Sequence, residues 1–126
     1  MATVEAKILL VEDDETLLEM YSLKLRDEGF NLLTATDGLT ALDLALKERP
    51  LVILLDIMMP KMDGFAVLVE LRKDVSMKQT PIVMLSNLGQ QGDIDKGKEL
   101  GATDYVVKAS MTPTQVVEKI KSYLKI

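Results

Sequence analysis

The 126-residue chain contains no cysteine, no histidine and no tryptophan. Without cysteine there are no disulfides and no thiolate metal sites, and without histidine the usual zinc ligand and the usual general base are both missing. Any chemistry must therefore run on carboxylates, hydroxyls and amines. No apolar run approaches the roughly 20 residues that a membrane span needs. The segment from Met1 to Lys7 is too short and too mixed for a signal peptide, so a cytoplasmic protein is expected. Basic residues are the minority, 15 against 20 acidic, which gives a net charge of −5. That balance opposes tight binding to nucleic acid, whose affinity rests on Lys and Arg contacts to phosphate. What is present is ordinary for a soluble globular protein, 48% apolar and 28% charged residues, and the length suits a single domain, residues 1–126, with one well-buried core.

Five apolar runs recur, at about 7–11, 31–35, 51–55, 81–85 and 104–107, and each is followed by a longer segment of helical character. Repeated strand and helix units of this kind predict a parallel sheet covered on both faces. Runs one, three and four are apolar without alternation, as central strands should be. The expected fold is therefore α/β, a flavodoxin-like (βα)5 doubly wound sheet of five parallel strands in the order 2-1-3-4-5. Leu17, Leu18, Tyr21 and Leu25, then Leu42, Ala45 and Leu46, then Val116, Ile120, Tyr123 and Leu124 form stripes at helical spacing. Gly29 closes the first helix, Asp37-Gly38 opens the second, Asp63 caps the third and Thr112-Pro113 starts the fifth. The fourth helical segment contains Gly89, Gly92 and Gly97, and each interior glycine costs roughly 1 kcal/mol relative to alanine. It is expected to be the least stable of the five.

In an open parallel sheet ligands bind beyond the carboxyl ends of the strands, where the strand order reverses. Strand one ends in Glu12-Asp13-Asp14-Glu15, strand three in Asp56, strand four in Ser86-Asn87 and strand five in Lys108. With strands one and three adjacent, Glu12, Asp13 and Asp56 share one pocket. Three like charges there are unfavourable unless a cation joins them. All-oxygen donors point to a hard ion, and a few carboxylates completed by water and phosphate suit Mg²⁺. Lys108 and Ser86 could hold phosphoryl oxygens near Asp56, which then serves as nucleophile in forming an acyl phosphate. The plainer reading is a solvated acidic turn capping the first helix, with Asp56, Ser86 and Lys108 as unremarkable loop residues. Only their joint placement favours the site.

Four segments, Ile8-Leu-Leu-Val-Glu-Asp-Asp-Glu15, Leu54-Leu-Asp-Ile-Met-Met-Pro-Lys-Met-Asp-Gly64, Pro81-Ile-Val-Met-Leu-Ser86 and Gly101-Ala-Thr-Asp-Tyr-Val-Val-Lys108, resemble the receiver domain of two-component response regulators across essentially the whole chain. The resemblance implies that Asp56 is the phosphoacceptor. It implies that Glu12, Asp13 and Asp56, with the backbone carbonyl of Met58, hold Mg²⁺. It makes Ser86 the hydroxyl that follows the phosphoryl group, Lys108 its ammonium partner and Tyr105 the aromatic switch. It implies a sensor histidine kinase or phosphotransfer protein as donor. The reading face would be the fourth helix, fifth strand and fifth helix, which is also a possible homodimer surface. The chain stops soon after the fifth helical segment, so no output domain is expected within it.

Three departures stand out. Ala109 replaces the proline usually joined to the lysine through a cis bond, so either the cost of a non-proline cis bond, about 2.5 to 4 kcal/mol, is borne or the loop takes another path. Asn87 is larger than the usual alanine or glycine and narrows access. Met58 and Leu88 cannot orient a water molecule, which predicts a long-lived acyl phosphate. Other functions remain open. A metal-dependent phosphatase with an aspartyl nucleophile commonly has an acid two residues on, where this chain has Met58. A flavin or nucleotide carrier would want a glycine-rich loop after strand one. A receiver reduced to a scaffold would not need the acidic trio.

Overall fold

Each apolar run forms a strand, and each intervening segment coils onto one face of the resulting sheet. The computed structural model describes residues 7–87 and 91–124, so Leu88 and Gly89 lie outside the described residues. The elements are β1 (Lys7–Val11), α1 (Glu15–Asp27), β2 (Asn31–Ala35), α2 (Gly38–Glu48), β3 (Val52–Asp56), α3 (Gly64–Lys73), β4 (Ile82–Ser86), α4 (Gln91–Glu99), β5 (Asp104–Val107) and α5 (Pro113–Leu124). All neighbouring strands are parallel and their order is β2-β1-β3-β4-β5, as expected.

Strand alternation divides the core in two. Leu9, Val11, Ile53, Leu55, Ile82 and Met84 face α2 and α3, whose Ala41, Ala45, Val67, Leu68 and Leu71 meet them. Ile8, Leu10, Leu54, Val83, Leu85 and Val106 face α1 and α5, where Tyr21, Leu25, Val116, Val117 and Ile120 close the layer. Burying one such side chain contributes about 1.5 to 3 kcal/mol, so these two layers dominate stability. Leu46 does not belong to the α2 stripe: it is 36% exposed, and Ala41 takes the inward position one turn earlier.

Two strands start and end one residue later than their apolar runs. Leu51 is half-exposed before β3, whereas Asp56 is the strand's last residue and pairs with Leu85. Ser86 likewise closes β4 opposite Val107. Pairing is a property of the backbone, so the ladder continues through a polar side chain that hydropathy reads as a boundary. Tyr105 is the second residue of β5.

The caps behave as the turn residues suggest. Asp37, Asp63 and Asp14 accept hydrogen bonds from the backbone N–H groups of Thr40, Ala66 and Leu17 at 2.8, 2.9 and 3.0 Å. Thr112 and Gln115 form a reciprocal capping box at the start of α5. Gly29, at φ +88°, ends α1 by donating to the Arg26 carbonyl, while Phe30 donates to Leu25.

α4 is attached differently from the other helices. Gly97 is its sole buried residue, and a Cβ there would stand 3.4 Å from the Tyr105 ring and 3.6 Å from Met84. The glycine lets α4 lie close to β5 at the cost of helix propensity. A cation–π contact of Lys96 over Phe65, 4.6 Å to the ring centroid, adds a tie to α3. The described residues contain no cis peptide bond. After Lys108 the chain therefore takes the second of the two routes left open by Ala109, a single 3-10 turn over Lys108–Ser110.

Candidate functional site

The cleft forms because β1 and β3 end side by side in acids. Glu12 follows the last residue of β1; its N–H donates to the Ala35 carbonyl of β2 at 3.1 Å, so its backbone is still held by the sheet. Its side chain is fully buried, and Oε2 accepts from the Asp14 N–H at 3.1 Å. Asp14 caps α1, which makes the helix-capping account correct for Asp14 and wrong for Glu12. Asp13 remains exposed at the mouth. Asp56 is only 4% exposed, and carboxylate oxygens of Glu12, Asp13 and Asp56 lie within 4.8 Å of one another.

Lys108 enters from β5. Its ammonium lies 2.5 Å from Glu12 Oε1 and 3.2 Å from Asp56 Oδ2, with the side chain 7% exposed. Burial pushes the Asp56 carboxyl up to about 7, the neighbouring Glu12 charge pushes the same way, and Lys108 opposes both. For Lys108 burial works to lower the pKa, but the contacts with Glu12 and Asp56 outweigh it and the ammonium is held above its ordinary value. One lysine thus pairs with two of the three carboxylates. The donor set fits a hard divalent cation: carboxylates only, no nitrogen or sulfur, and one exposed acid on the solvent side where water can complete the coordination. Such an ion would offset both the burial and the Glu12 repulsion that raise Asp56.

Ser86, 1% exposed, and Lys108 line the same cleft of about 360 Å³ together with Asn87 and Met58, which is 63% exposed. Tyr105 stands behind Ser86 on the α4 side. Burial raises its phenol pKa while a hydrogen bond with Ser86 works against that. Glu12, Asp13, Asp56, Met58, Ser86, Asn87 and Lys108 therefore lie at the cleft and Tyr105 contacts Ser86, which lines it, whereas Leu88 lies outside the described residues. Leu17, from the first turn of α1, also lines the cleft and was read only as a stripe residue.

Two glycines outside the predicted site make close approaches. A Cβ on Gly64 would lie 2.2 Å from the Asp56 carbonyl oxygen, and the Gly64 N–H donates to the Ile57 carbonyl at 2.7 Å. The start of α3 is thus pressed directly on the backbone that presents Asp56. Gly38 of α2 makes an equally close approach to Met62, whose carbonyl oxygen would stand 1.8 Å from an added Cβ. Each follows the aspartate that caps its helix, and an Asp-Gly pair by itself does not distinguish a helix start from a close contact.

Comparison with known proteins agrees with this geometry. The family model of the response regulator receiver domain matches residues 8–121. A probable transcriptional regulator, ycf27, of Guillardia theta is 42% identical over 119 residues, covering 94% of this chain and 45% of that protein. The chain spans about half the length of such curated relatives. Among solved structures, the chemotaxis response regulator CheY4 of Vibrio cholerae superposes with a TM-score of 0.86 at 36% identity, covering 94% of this chain and 98% of that one. The Mn²⁺-bound form of response regulator Rcp1 gives 0.81 at 28% identity, covering 94% of each chain.

Proposed function

The chain belongs to the response regulator receiver family, and on that premise we propose that it is a phosphorylation-dependent switch of a two-component system, acting in the cytoplasm, with Asp56 as phosphoacceptor. The observation that carries the reading is the convergence of Glu12, Asp13, Asp56 and Lys108 on one small cleft at the end of β1 and β3. In the transfer, an Asp56 carboxylate oxygen attacks the phosphorus of a phosphohistidine on a sensor kinase or phosphotransfer protein. The P–N bond breaks and the imidazole leaves with the electron pair. The product is an acyl phosphate, so the protein is a signalling phosphoacceptor that promotes its own modification rather than an enzyme with a separate substrate.

Glu12, Asp13 and Asp56, with the Met58 carbonyl, would hold Mg²⁺, which when bound neutralises charge on the carboxylate and the phosphoryl group together. A Mn²⁺-bound structure of Rcp1 supports a divalent ion as the occupant. Lys108, already at the cleft, is placed to pair with a phosphoryl oxygen, and Ser86 to donate a hydroxyl to another. Since Ser86 contacts Tyr105, and Tyr105 packs on Gly97 of α4, a change at the cleft has a short path to the α4, β5 and α5 face. That face would meet an output partner or a second copy. With Met58 offering only a thioether beside Asp56, the acyl phosphate should be long-lived, and decay within seconds would contradict this.

The test is incubation with acetyl phosphate and Mg²⁺ followed by intact mass. The expected result is a gain of one phosphoryl group that is absent in Asp56→Ala and absent without divalent ion. No gain in the wild-type chain refutes the assignment.

A further inference from the structure

We infer that Gly38, in the first turn of α2, is a positioning residue for the cation site, because the amino terminus of α2 is the abutment against which the loop carrying the Met58 carbonyl is set. This rests on the functional reading above, and it concerns a residue that contributes nothing to the cleft lining itself.

The loop between β3 and α3 runs from Ile57 to Asp63 and must present the Met58 carbonyl from a segment without regular structure. Its base is closed by the Gly64 N–H donating to the Ile57 carbonyl at 2.7 Å. Its outer curve is braced by α2. The Pro60 carbonyl accepts from the Met62 N–H at 2.8 Å and from the Gly38 N–H at 3.3 Å, so one oxygen ties the loop to itself and to the helix. Lys61, at φ +71°, adopts the left-handed conformation uncommon for a side-chain-bearing residue, and its ammonium lies 4.0 Å from Asp37 Oδ2. Asp37 is itself fixed as the cap of α2.

Gly38 is not needed for its backbone angles, since among the described residues the positive-φ glycines are Gly29 and Gly101. It is needed because there is no room for a side chain. A Cβ at this buried position would stand 1.8 Å from the Met62 carbonyl oxygen and 2.6 Å from both the Met62 carbonyl carbon and its Cβ. Two of these are backbone atoms, so no rotamer change relieves the clash. The loop or the helix must retreat by more than an ångström. A hard ion such as Mg²⁺ demands near-ideal octahedral ligands, and groups that set ligand position typically change metal affinity by about 10- to 100-fold when altered. Close packing transmits the displacement rather than absorbing it. Met58 lies only four residues from Met62, inside the same clamped loop.

The experiment compares Gly38→Ala with Gly92→Ala, where a Cβ would meet nothing within 4 Å. In the full chain, Mg²⁺ affinity is read by titration calorimetry and thermal unfolding is followed without Mg²⁺. We expect Gly38→Ala to bind Mg²⁺ about 10-fold more weakly or worse and Gly92→Ala to bind as the wild type does. A lower melting temperature with unchanged Mg²⁺ affinity in Gly38→Ala would mean a merely structural glycine and overturns the inference. Should Gly38→Ala fail to fold, the wild-type chain decides. Mg²⁺ must then shift the Gly38 amide resonance and slow its hydrogen exchange, while Lys47 at the far end of α2 stays unchanged; an unmoved Gly38 amide overturns the inference. Absence of any Mg²⁺ binding by the wild-type chain refutes the functional reading and this inference with it, whereas wild-type binding matched by Gly38→Ala refutes this inference alone.

Discussion

The acid-bearing ends of β1 and β3 and the corner formed by α4 and β5 are built to different standards. The first region rests on strands whose apolar residues are all at or near zero exposure, with Gly64 pressed on the Asp56 backbone. The second rests on a nine-residue helix with one buried residue, a glycine, and on an edge strand whose Asp104, Tyr105 and Val107 are only partly covered. On the proposed function the difference matters, because a phosphoacceptor would have to be held still, whereas a reading surface would have to move. Elements that move are drawn from the parts of a fold with few buried contacts. Part of the corner is nonetheless pinned: the Tyr123 hydroxyl donates to Asp104 at 2.5 Å and Lys119 pairs with the same carboxylate at 2.8 Å. The freedom therefore lies with α4 rather than α5.

The largest expected contrast is in core truncation. Leu54→Ala, in the middle of β3, should lower the unfolding free energy by about 3 kcal/mol, while Ile94→Ala on α4, outside both core clusters, should cost under about 1 kcal/mol. Denaturant melts of the two variants measure this, and similar losses would erase the distinction between the regions.

A smaller effect tests whether burial and repulsion at Asp56 cost the first region stability. The folded Asp56 pKa of about 7 lies above the ordinary 3.8. A raised acid contributes stability that is present below its unfolded pKa and is lost as pH rises through the folded one. Metal-free wild type should therefore weaken relative to Asp56→Asn as pH goes from 4 to 8, by on the order of 1 to 2 kcal/mol once solvent access to the cleft is allowed for. Saturating Mg²⁺ should remove most of that difference. Thermal melts across pH with and without Mg²⁺ check it, and a pH-independent gap would show that Asp56 carries no such strain.

The smallest effect concerns the α4 and β5 corner. Lys96→Gln removes the contact over Phe65, worth about 0.5 to 1 kcal/mol at an exposed site. Amide exchange should quicken in α4 with little change in global stability. Unchanged exchange in α4 would mean that Phe65 does not restrain it.

Much of this is legible in the sequence. Unalternated runs such as Ile82 to Leu85 mark strands buried on both faces, and the acids and Lys108 at their ends mark the site, because burial periodicity and charge at a strand terminus are local facts. Other features were not readable. Leu46 fits the helical spacing of α2 and still faces solvent, since the stripe is a band of angles and neighbouring helices decide which edge is covered. Glu12 and Asp14 are both acids in one turn, yet one is a buried member of the cleft and the other a cap. Gly38 and Gly64 look alike as partners of aspartate, and only packing shows that each excludes a side chain.

By itself the sequence determined the alternation of strands and helices, the capping residues, and which chemical groups end which strand, because each is encoded within a few neighbouring residues. Tertiary structure alone decided that Lys108 lies between Glu12 and Asp56, that Tyr105 backs onto Ser86 and Gly97, and that α2 braces the loop after Asp56. Those are distances between segments tens of residues apart, and they follow from how closely whole elements pack, which no local pattern records.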